Sequence, residues 1–335
     1  MTEWLIYRGA GEPHDGIDRL PPPPPWRDFD GGPPLPPDAP LDSASSRRLG
    51  AWRGMVEAFR PRAEEVEVIN AALYLRRPLL VTGRPGTGKS TIPHAVAYEL
   101  GLGRVLRWPI TSRSTLRDGL YNYDAIGRLQ DVQLRSTAHG TGESYIGNYL
   151  RLGPMGTALL PYARPRVLLI DEIDKSDVDL PNDLLSVLEE GEFSIPELER
   201  VADQAGQESV EVMTDDGRRA RVEGGRVRCH AFPFVVLSSN GERDFPAPLM
   251  RRCLHLELAP PDQHRLAAMV RAHLGQEAEQ SGQDLIERFL SRDPDELLAA
   301  DQLLNALYLT AFTGDRHGGR ERLAEMLLRP LNQPR

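Results

Sequence analysis

The stretch VTGRPGTGKST, residues 81–91, decides the fold of this chain. It follows an apolar run that predicts a buried strand over residues 78–82, and it leads into a predicted helix over residues 91–100. Its glycines, lysine and serine have the spacing G-x-x-x-x-G-K-S of a phosphate-binding loop. In such a loop the backbone N–H groups point into one concavity, and the following helix adds the partial positive charge of its N-terminus. The stretch therefore predicts a nucleoside triphosphate site, and its strand and helix disfavour a chance glycine-rich turn.

Three side chains of this loop have expected contacts with the nucleotide. We expect Lys89 to reach the β- and γ-phosphates, the Ser90 hydroxyl to ligate Mg²⁺, and Thr91 to support the α-phosphate. Together with one carboxylate of the next motif, the candidate cofactor-binding residues are Gly83, Pro85, Gly86, Thr87, Gly88, Lys89, Ser90, Thr91 and Asp171.

A second stretch, RVLLIDEIDKSD over residues 166–177, places two carboxylates at the end of a buried strand. Ligands of α/β proteins bind beyond the carboxyl ends of the strands, where Asp171 and Glu172 are expected. The candidate metal residues are Ser90 and Asp171, and Glu172 is the candidate general base that polarises the attacking water. A solvated acidic strand end is the alternative, which the phosphate loop disfavours. Together the two motifs predict hydrolysis of the nucleotide.

The remaining patterns predict the fold class. Helical patterns alternate with apolar runs that predict further strands over residues 105–110, 166–170 and 234–238. Such alternation is typical of an α/β fold, here a P-loop NTPase parallel sheet covered by helices. From residue 262 the pattern is helical only, which predicts a small all-α lid domain with helices over residues 262–274, 284–290 and 301–312. The predicted domains are a Pro-rich N-terminal arm (1–50), an α/β nucleotide-binding domain (51–260) and a helical lid domain (261–335).

The N-terminal arm has a composition of its own. Residues 21–40 contain ten prolines and two glycines, which predicts an extended, polyproline-like chain. A disordered tail is one interpretation. The arm also carries large apolar side chains that are costly to leave in water, so we expect it to lie across the globular body or a neighbouring subunit. These side chains are Trp4, Leu5, Ile6, Tyr7, Trp26 and Phe29.

Charge and cysteine content narrow the class of protein. The chain has 335 residues and a net charge of −9, which disfavours a dedicated nucleic-acid binder because there is no basic field to attract phosphates. Its cysteines, Cys229 and Cys253, are too few for a disulfide framework, and the N-terminus does not resemble a secretory signal. The apolar runs are far too short to span a membrane. These observations predict a cytoplasmic protein with no membrane partner.

From about Ala51 to its end, the chain resembles the AAA+ ATPases. The phosphate loop, the Asp-Glu strand, LSSN (237–240) and RRC (251–253) follow one another in the order of that superfamily. The resemblance implies that Asn240, which closes a strand beside the Asp-Glu strand, orients the lytic water as sensor 1. It also implies an arginine finger that reaches the γ-phosphate in a neighbouring subunit, for which Arg252 is the first candidate and Arg251 the second. The implied cofactors are ATP and Mg²⁺.

Two insertions are similar to those of the MoxR branch of this superfamily. Lys89 and Asp171 are 82 positions apart, and the added chain includes residues 127–154. Residues 208–230 have period-2 segments around Asp215-Asp216-Gly217, which predict a hairpin before sensor 1. Plain surface loops are the alternative for both insertions. The MoxR resemblance implies a ring, expected to be a hexamer, that remodels or activates a client or a von Willebrand A-domain partner protein.

One departure from the family pattern concerns the arginine called sensor 2, which lies early in a lid helix. Asp301 stands near the expected position, and Arg292 precedes Asp293-Pro294, outside the predicted helix. This departure favours an alternative in which slow hydrolysis only times assembly with partners, as in a switch or scaffold. A nucleic-acid-directed motor is a further alternative, which the net charge disfavours.

Overall fold

This computed structural model describes residues 3–36, 59–137, 145–205, 209–291, 300–313 and 326–328. The described residues form eleven strands and twelve α-helices. The strands are β1 (Leu79–Gly83), β2 (Leu106–Pro109), β3 (Tyr121–Tyr123), β4 (Leu150–Leu152), β5 (Val167–Asp171), β6 (Glu192–Ser194), β7 (Ser209–Met213), β8 (Arg219–Glu223), β9 (Arg226–Arg228), β10 (Phe234–Ser239) and β11 (Leu254–Leu258). The helices are α1 (Ala63–Leu75), α2 (Thr91–Glu99), α3 (Leu116–Leu120), α4 (Ala125–Thr137), α5 (Pro154–Ala158), α6 (Leu180–Glu190), α7 (Pro196–Ala205), α8 (Ala247–Arg252), α9 (Gln263–Leu274), α10 (Gln276–Ser281), α11 (Gln283–Leu290) and α12 (Ala300–Thr313).

The central sheet has five parallel strands in the order β11-β1-β10-β5-β2. Every residue of β5 and β10 is buried, as expected for parallel strands that are covered on both faces. The predicted α/β parallel sheet is confirmed, and its four predicted strands are observed within about two residues of their expected ends. Sequence analysis missed β11, although the alternation of leucine with exposed His255 and Glu257 is the period-2 pattern of a half-buried edge strand.

A second sheet has six strands in the order β3-β4-β7-β8-β9-β6. Its centre is the hairpin of β7 and β8, which pair antiparallel with Val210 opposite Val222 and Val212 opposite Ala220. The predicted hairpin around residues 215–217 is therefore confirmed. The inward-facing residues of β7 and β8 are buried and the alternate residues are mostly exposed, so this sheet covers the body with one face only.

Two apolar cores lie on opposite faces of the central sheet. One face carries Leu80, Leu168 and Leu237, which belong to the core shared with α6 and the second sheet. The other face carries Leu79 and Val236, which pack with α1, α2 and the N-terminal segment. The alternation of neighbouring residues between the two cores is the direct result of strand geometry.

The helices after β11 pack around a core of their own. Leu266, Val270, Leu285, Ile286 and Leu307 are among its buried members. This helical region follows the sheet domain as the sequence predicts, with α10 as an additional short helix. Among the described residues no helix combines the length and the apolarity needed to cross a bilayer.

The N-terminal segment 3–36 lies against the body, in agreement with the expectation for the arm. Ile6 and Tyr7 are buried in the core with α1 and α2. The Asn70 side chain accepts hydrogen bonds from the backbone N–H groups of Ile6 and Tyr7, at 2.7 and 3.0 Å. Trp26 departs from the expectation, since 71% of its surface is exposed. The boundary predicted between residues 50 and 51 lies outside the described residues.

Candidate nucleotide-binding site

The loop between β1 and α2 has the backbone that its glycines allow. Gly83, Gly86 and Gly88 have φ values of 153°, 78° and 92°, which side chains rarely adopt. A Cβ atom on Gly83 would also lie 2.8 Å from the carbonyl oxygen of Leu258, closer than van der Waals contact permits. The loop can therefore turn tightly beneath the N-terminus of α2, as phosphate binding requires.

Lys89 lies buried inside this loop. Its Nζ atom donates hydrogen bonds to the carbonyl oxygens of Gly83 and Arg84, at 2.7 and 2.9 Å. Burial lowers the pKa of Lys89, and the charges of nearby carboxylates, with Asp174 first among them, oppose that shift. A buried ammonium group held by neutral carbonyls is well placed to bind an anion.

Asp171 ends β5 beside the phosphate loop. Its Oδ1 atom accepts hydrogen bonds from the hydroxyls of Ser238, at 2.6 Å, and Ser90, at 3.2 Å. Burial alone would raise the pKa of Asp171, but hydrogen bonds from Ser238, Arg107 and Ser90 outweigh it and hold the pKa below its usual value. A serine hydroxyl and a carboxylate at this distance are hard oxygen ligands suited to Mg²⁺, so the predicted pair fits the metal.

Arg107 is a part of the site that sequence analysis missed. Its Nε and Nη2 atoms donate to Oδ2 of Asp171, at 3.0 and 2.6 Å. The residue belongs to β2, which is parallel to β5 with Pro109 opposite Asp171. That register places Arg107 on a strand next to the carboxylate, and the sequence pattern of β2 contains no signal for it.

Glu172 has an uncommon backbone conformation for a residue with a side chain. Its φ and ψ values of 61° and 48° are left-handed, and its N–H donates to the Ser238 hydroxyl at 2.9 Å. The Glu172 carboxylate forms an ion pair with Lys175, 2.8 Å away, and about half of each side chain is exposed. Glu172 therefore lies at the strand edge predicted for it, with a cation beside it that sequence analysis did not identify.

Asn240 follows β10, the strand next to β5, so it lies at the same edge as Glu172. Its backbone N–H donates to Oδ2 of Asp174, at 2.9 Å. Asp174 also accepts a hydrogen bond from the N–H of Glu242, at 3.3 Å. These two hydrogen bonds hold the chain after β10 against the turn that follows Glu172. The structure thus brings together the phosphate loop, both carboxylates and Asn240.

Arg251 and Arg252 lie at the opposite end of the central sheet, where its strands begin. They end α8 directly before β11, whose first residue, Leu254, donates its N–H to the carbonyl of Pro78 at 2.9 Å, where β1 begins. The phosphate loop begins where β1 ends, about 15 Å away along the strand. Arg252 forms an ion pair with Glu189, with Nη2 3.0 Å from Oε2, whereas Arg251 is exposed.

An apolar cleft adjoins the phosphate loop on the side of the helical region. Its wall residues come from distant parts of the chain, which is why sequence analysis did not identify them. They are Phe59, Thr87, Gly88, Thr91, Pro261, Arg265, Met269 and His273. The Arg265 guanidinium lies 5.3 Å from the centre of the Phe59 ring and pairs with both carboxylate oxygens of Glu65, at 3.1 and 2.8 Å.

The departure from the family pattern at sensor 2 concerns two residues near the end of the chain. Asp301 falls within α12, and Arg292 lies outside the described residues. Arg265 of α9 lines the cleft beside the phosphate loop, where it is paired with Glu65.

The sequence and the structure of the chain are similar to those of known proteins. Residues 78–253 match the family model of the AAA domain, dynein-related subfamily. Among solved structures, the chain is similar to domain III of the Thermotoga maritima replication initiation protein DnaA, with 16% identity and a TM-score of 0.40, over 87% of this chain and 98% of that one. A search of curated proteins finds no matching relative. The family match spans more than half of the chain and includes the phosphate loop, Asp171, Asn240 and the arginines that end α8. The chain therefore belongs to the AAA domain family, in its dynein-related subfamily.

Proposed function

We propose that this protein is a Mg²⁺-dependent ATPase of MoxR type, which assembles as a ring and uses hydrolysis to remodel or activate a partner protein. The observation that carries the proposal is the juxtaposition of a buried Lys89 with the Ser90 and Asp171 oxygens, which are 3.2 Å apart at one edge of the sheet. These groups match the needs of a triphosphate and its metal ion.

Nucleotide binding is assigned to the loop and the adjoining cleft. The N–H groups of residues 86–90 and the Lys89 ammonium bind the phosphates, with Thr91 at the α-phosphate. The base is assigned to the apolar cleft lined by Phe59 and Met269, which has a volume of about 40 Å³ and must widen to take it. Ser90 and Asp171 hold Mg²⁺, which neutralises phosphate charge, and the Ser238 hydroxyl fixes the orientation of Asp171.

Hydrolysis is assigned to Glu172 and Asn240. The Glu172 carboxylate accepts a proton from the attacking water, and Asn240 orients that water from the neighbouring strand. The ion pair with Lys175 engages Oε2 of Glu172 in the structure, and the proton is assigned to Oε1.

The arginines support a ring. Arg252 lies about one strand length from the phosphate loop of its own subunit, so its guanidinium can reach a γ-phosphate only in another subunit. A finger supplied in trans stabilises charge on the transferring phosphoryl group. Arg252, with Arg251 as second candidate, therefore implies head-to-tail assembly, for which we propose a hexamer with a client or von Willebrand A-domain partner.

A second function is favoured by one observation. Both carboxylates of the site are ion-paired with cations of the same chain, Asp171 with Arg107 and Glu172 with Lys175. A site whose two carboxylates are both held by cations of the same chain suits a slow, nucleotide-controlled switch that times assembly with partners. A motor directed by nucleic acid is disfavoured by the net charge of −9.

Two lysine variants and one glutamate variant test the proposal. Lys89→Ala is expected to abolish ATP binding, whereas the matched control Lys175→Ala keeps it, because Lys175 lies outside the loop. Glu172→Gln is expected to bind ATP and to lose hydrolysis. Isothermal titration with ATP and Mg²⁺ measures binding, and phosphate release measures turnover. Unchanged ATP affinity in Lys89→Ala contradicts the site assignment.

Turnover as a function of protein concentration, with and without DNA, separates the candidate functions. A ring ATPase gains activity per subunit as it assembles, because each site needs a neighbour. A switch assembles without a comparable gain in turnover, and stimulation by DNA would favour the motor.

A further inference from the structure

The N-terminal segment places an exposed indole beside the arginines that end α8. Trp26 lines a cleft together with Arg77, Glu189, Leu249 and Arg252. The cleft lies at the edge where the central strands begin, opposite the nucleotide site. Trp26 is one of the most exposed large apolar side chains in the described residues, at 71%.

Trp26 is held in place by the residue that follows it. The buried Arg27 guanidinium donates to the carbonyl oxygens of Arg76, at 3.0 and 2.7 Å, and of Leu188 and Glu189, at 2.9 and 3.0 Å. It also lies 4.3 Å from the centre of the Phe232 ring. These contacts join the segment to the ends of α1 and α6, so the backbone that carries the exposed indole is anchored. An exposed tryptophan on an anchored backbone loses only side-chain entropy on contact with a partner, and tryptophan is enriched among the residues that dominate binding.

A complementary surface lies at the other edge of the sheet. Val178 is 60% exposed and is flanked by the exposed carboxylates of Asp177 and Asp179. This segment follows Glu172 by a few residues and therefore borders the nucleotide site. One end of the subunit thus presents an indole beside Arg77 and the Arg252–Glu189 ion pair. The opposite end presents a valine between two aspartates, with the Arg243 guanidinium donating to the carbonyl oxygen of Asp177 at 3.2 Å.

From these two surfaces we infer that Trp26 packs on Val178 of a second copy of this chain, with Arg77 and Arg251 facing Asp177 and Asp179. The inference rests on the proposed function, because the contact forms when the arginine face of one subunit covers the nucleotide edge of the next. Two different but complementary patches on one chain make a head-to-tail contact, the type of contact from which a ring is built when the rotation between neighbours closes. The opposite charges favour this register over contacts between like edges.

The arm is therefore part of the ring interface, and its removal weakens assembly. Trp26→Ala raises the protein concentration needed for half-assembly with ATP by on the order of tenfold or more, the effect of losing a central interface tryptophan. Trp4→Ala is the matched control from the same arm. Trp4 is 39% exposed and packs edge-on against Tyr74 of its own subunit, so the control leaves assembly unchanged.

Disulfide trapping tests the contact directly. Single-cysteine substitutions Trp26→Cys and Val178→Cys are made in separate full-length chains that also carry Glu172→Gln, so that bound ATP persists. Both chains also carry Cys253→Ala, because Cys253 lines the same cleft as Trp26 and could pair with a cysteine at position 26, whereas the native Cys229 is buried. Mild oxidation of the mixture with ATP is expected to yield a linked dimer of the two variants. Neither variant alone, nor a mixture of Trp4→Cys with Val178→Cys, is expected to yield one.

Sedimentation of the same samples separates this inference from the proposed function. If the wild-type chain assembles with ATP but the mixture gives no linked dimer, the Trp26–Val178 contact is wrong while the ring remains. If the wild-type chain stays monomeric with ATP at all concentrations, both the ring and the contact are wrong.

Discussion

Replacing Arg107 with alanine is expected to lower the Mg²⁺ concentration that nucleotide binding requires. In the structure both Arg107 donors bind Oδ2 of Asp171, while the hydroxyls of Ser90 and Ser238 bind Oδ1. The Arg107 donors therefore compete with a metal ion for Asp171, whereas the two hydroxyls orient the carboxylate. The guanidinium is the competitor, because it carries the same sign of charge as Mg²⁺ and occupies the oxygen that the serines leave.

The magnitude follows from the exposure of the pair. Hydrogen bonds to charged groups contribute about 1.5–3 kcal/mol when they are well shielded. The Arg107 side chain is 56% exposed, so solvent screening reduces its net hold on Asp171 to about 1 kcal/mol. This energy corresponds to about a factor of five in the Mg²⁺ concentration at half-saturation. The variant also loses a hydrogen bond that lowers the pKa of Asp171, so that pKa rises and binding fails at a higher pH on acidification.

The assay is a titration of Mg²⁺ at a fixed concentration of a fluorescent ATP analogue, with anisotropy as the readout. Arg113→Ala is the matched control, because it removes an exposed arginine near the same end of β2 without a contact to Asp171. The control is expected to keep the wild-type requirement. A Mg²⁺ requirement that is unchanged or higher in Arg107→Ala refutes the displacement argument, because Arg107 would then help to hold the nucleotide.

Two further predictions concern stability and thiol chemistry. Asn70→Ala leaves the buried N–H groups of Ile6 and Tyr7 without their acceptor and is expected to lower the free energy of unfolding, measured by urea denaturation, by about 2–6 kcal/mol. Asn182 is exposed, and the control Asn182→Ala is expected to change that free energy by less than about 0.5 kcal/mol. Equal effects of the two variants would contradict the anchoring role of Asn70. Burial raises the pKa of both cysteine thiols to about 12, so at pH 8 roughly one thiol in ten thousand is ionised. Iodoacetamide is therefore expected to label Cys229 and Cys253 only after unfolding, and mass spectrometry that finds rapid labelling of the native chain would show that the thiols are accessible.

Sequence patterns predict those parts of the site whose residues all lie within one short segment of the chain. The phosphate loop, the two carboxylates and the strand before Asn240 are each contained in a dozen residues or fewer, so spacing and hydrophobicity suffice to identify them. Arg107 could not be identified in this way. Its role depends on the register of β2 against β5, which is set by the packing of the whole sheet. The same limit applies to the cleft between Phe59 and α9, whose walls are about 200 positions apart in the sequence.

The position of the arm depends on two buried polar side chains that no periodic pattern identifies. The buried Glu99 carboxylate, at the end of α2, accepts hydrogen bonds from the N–H groups of Arg8, Gly9 and Gly11, at 2.5, 3.1 and 3.0 Å. A buried carboxylate without donors is strongly unfavourable, so detaching the arm would expose or strand this charge as well as Asn70.

This anchoring connects the arm to the site through the fold. Glu99 belongs to the helix that begins at the phosphate loop, and Arg27 binds the end of the helix whose Glu189 holds Arg252. The arm is thus attached at one end to the element that binds phosphate and further along to the element that holds the candidate finger. Because both attachments use buried polar groups, the arm is expected to keep Trp26 in the same place whether or not nucleotide is bound. In the proposed ring, a preformed edge of this kind would lower the entropy lost when a neighbouring subunit docks, so the proline-rich segment would favour assembly through rigidity as well as through contact.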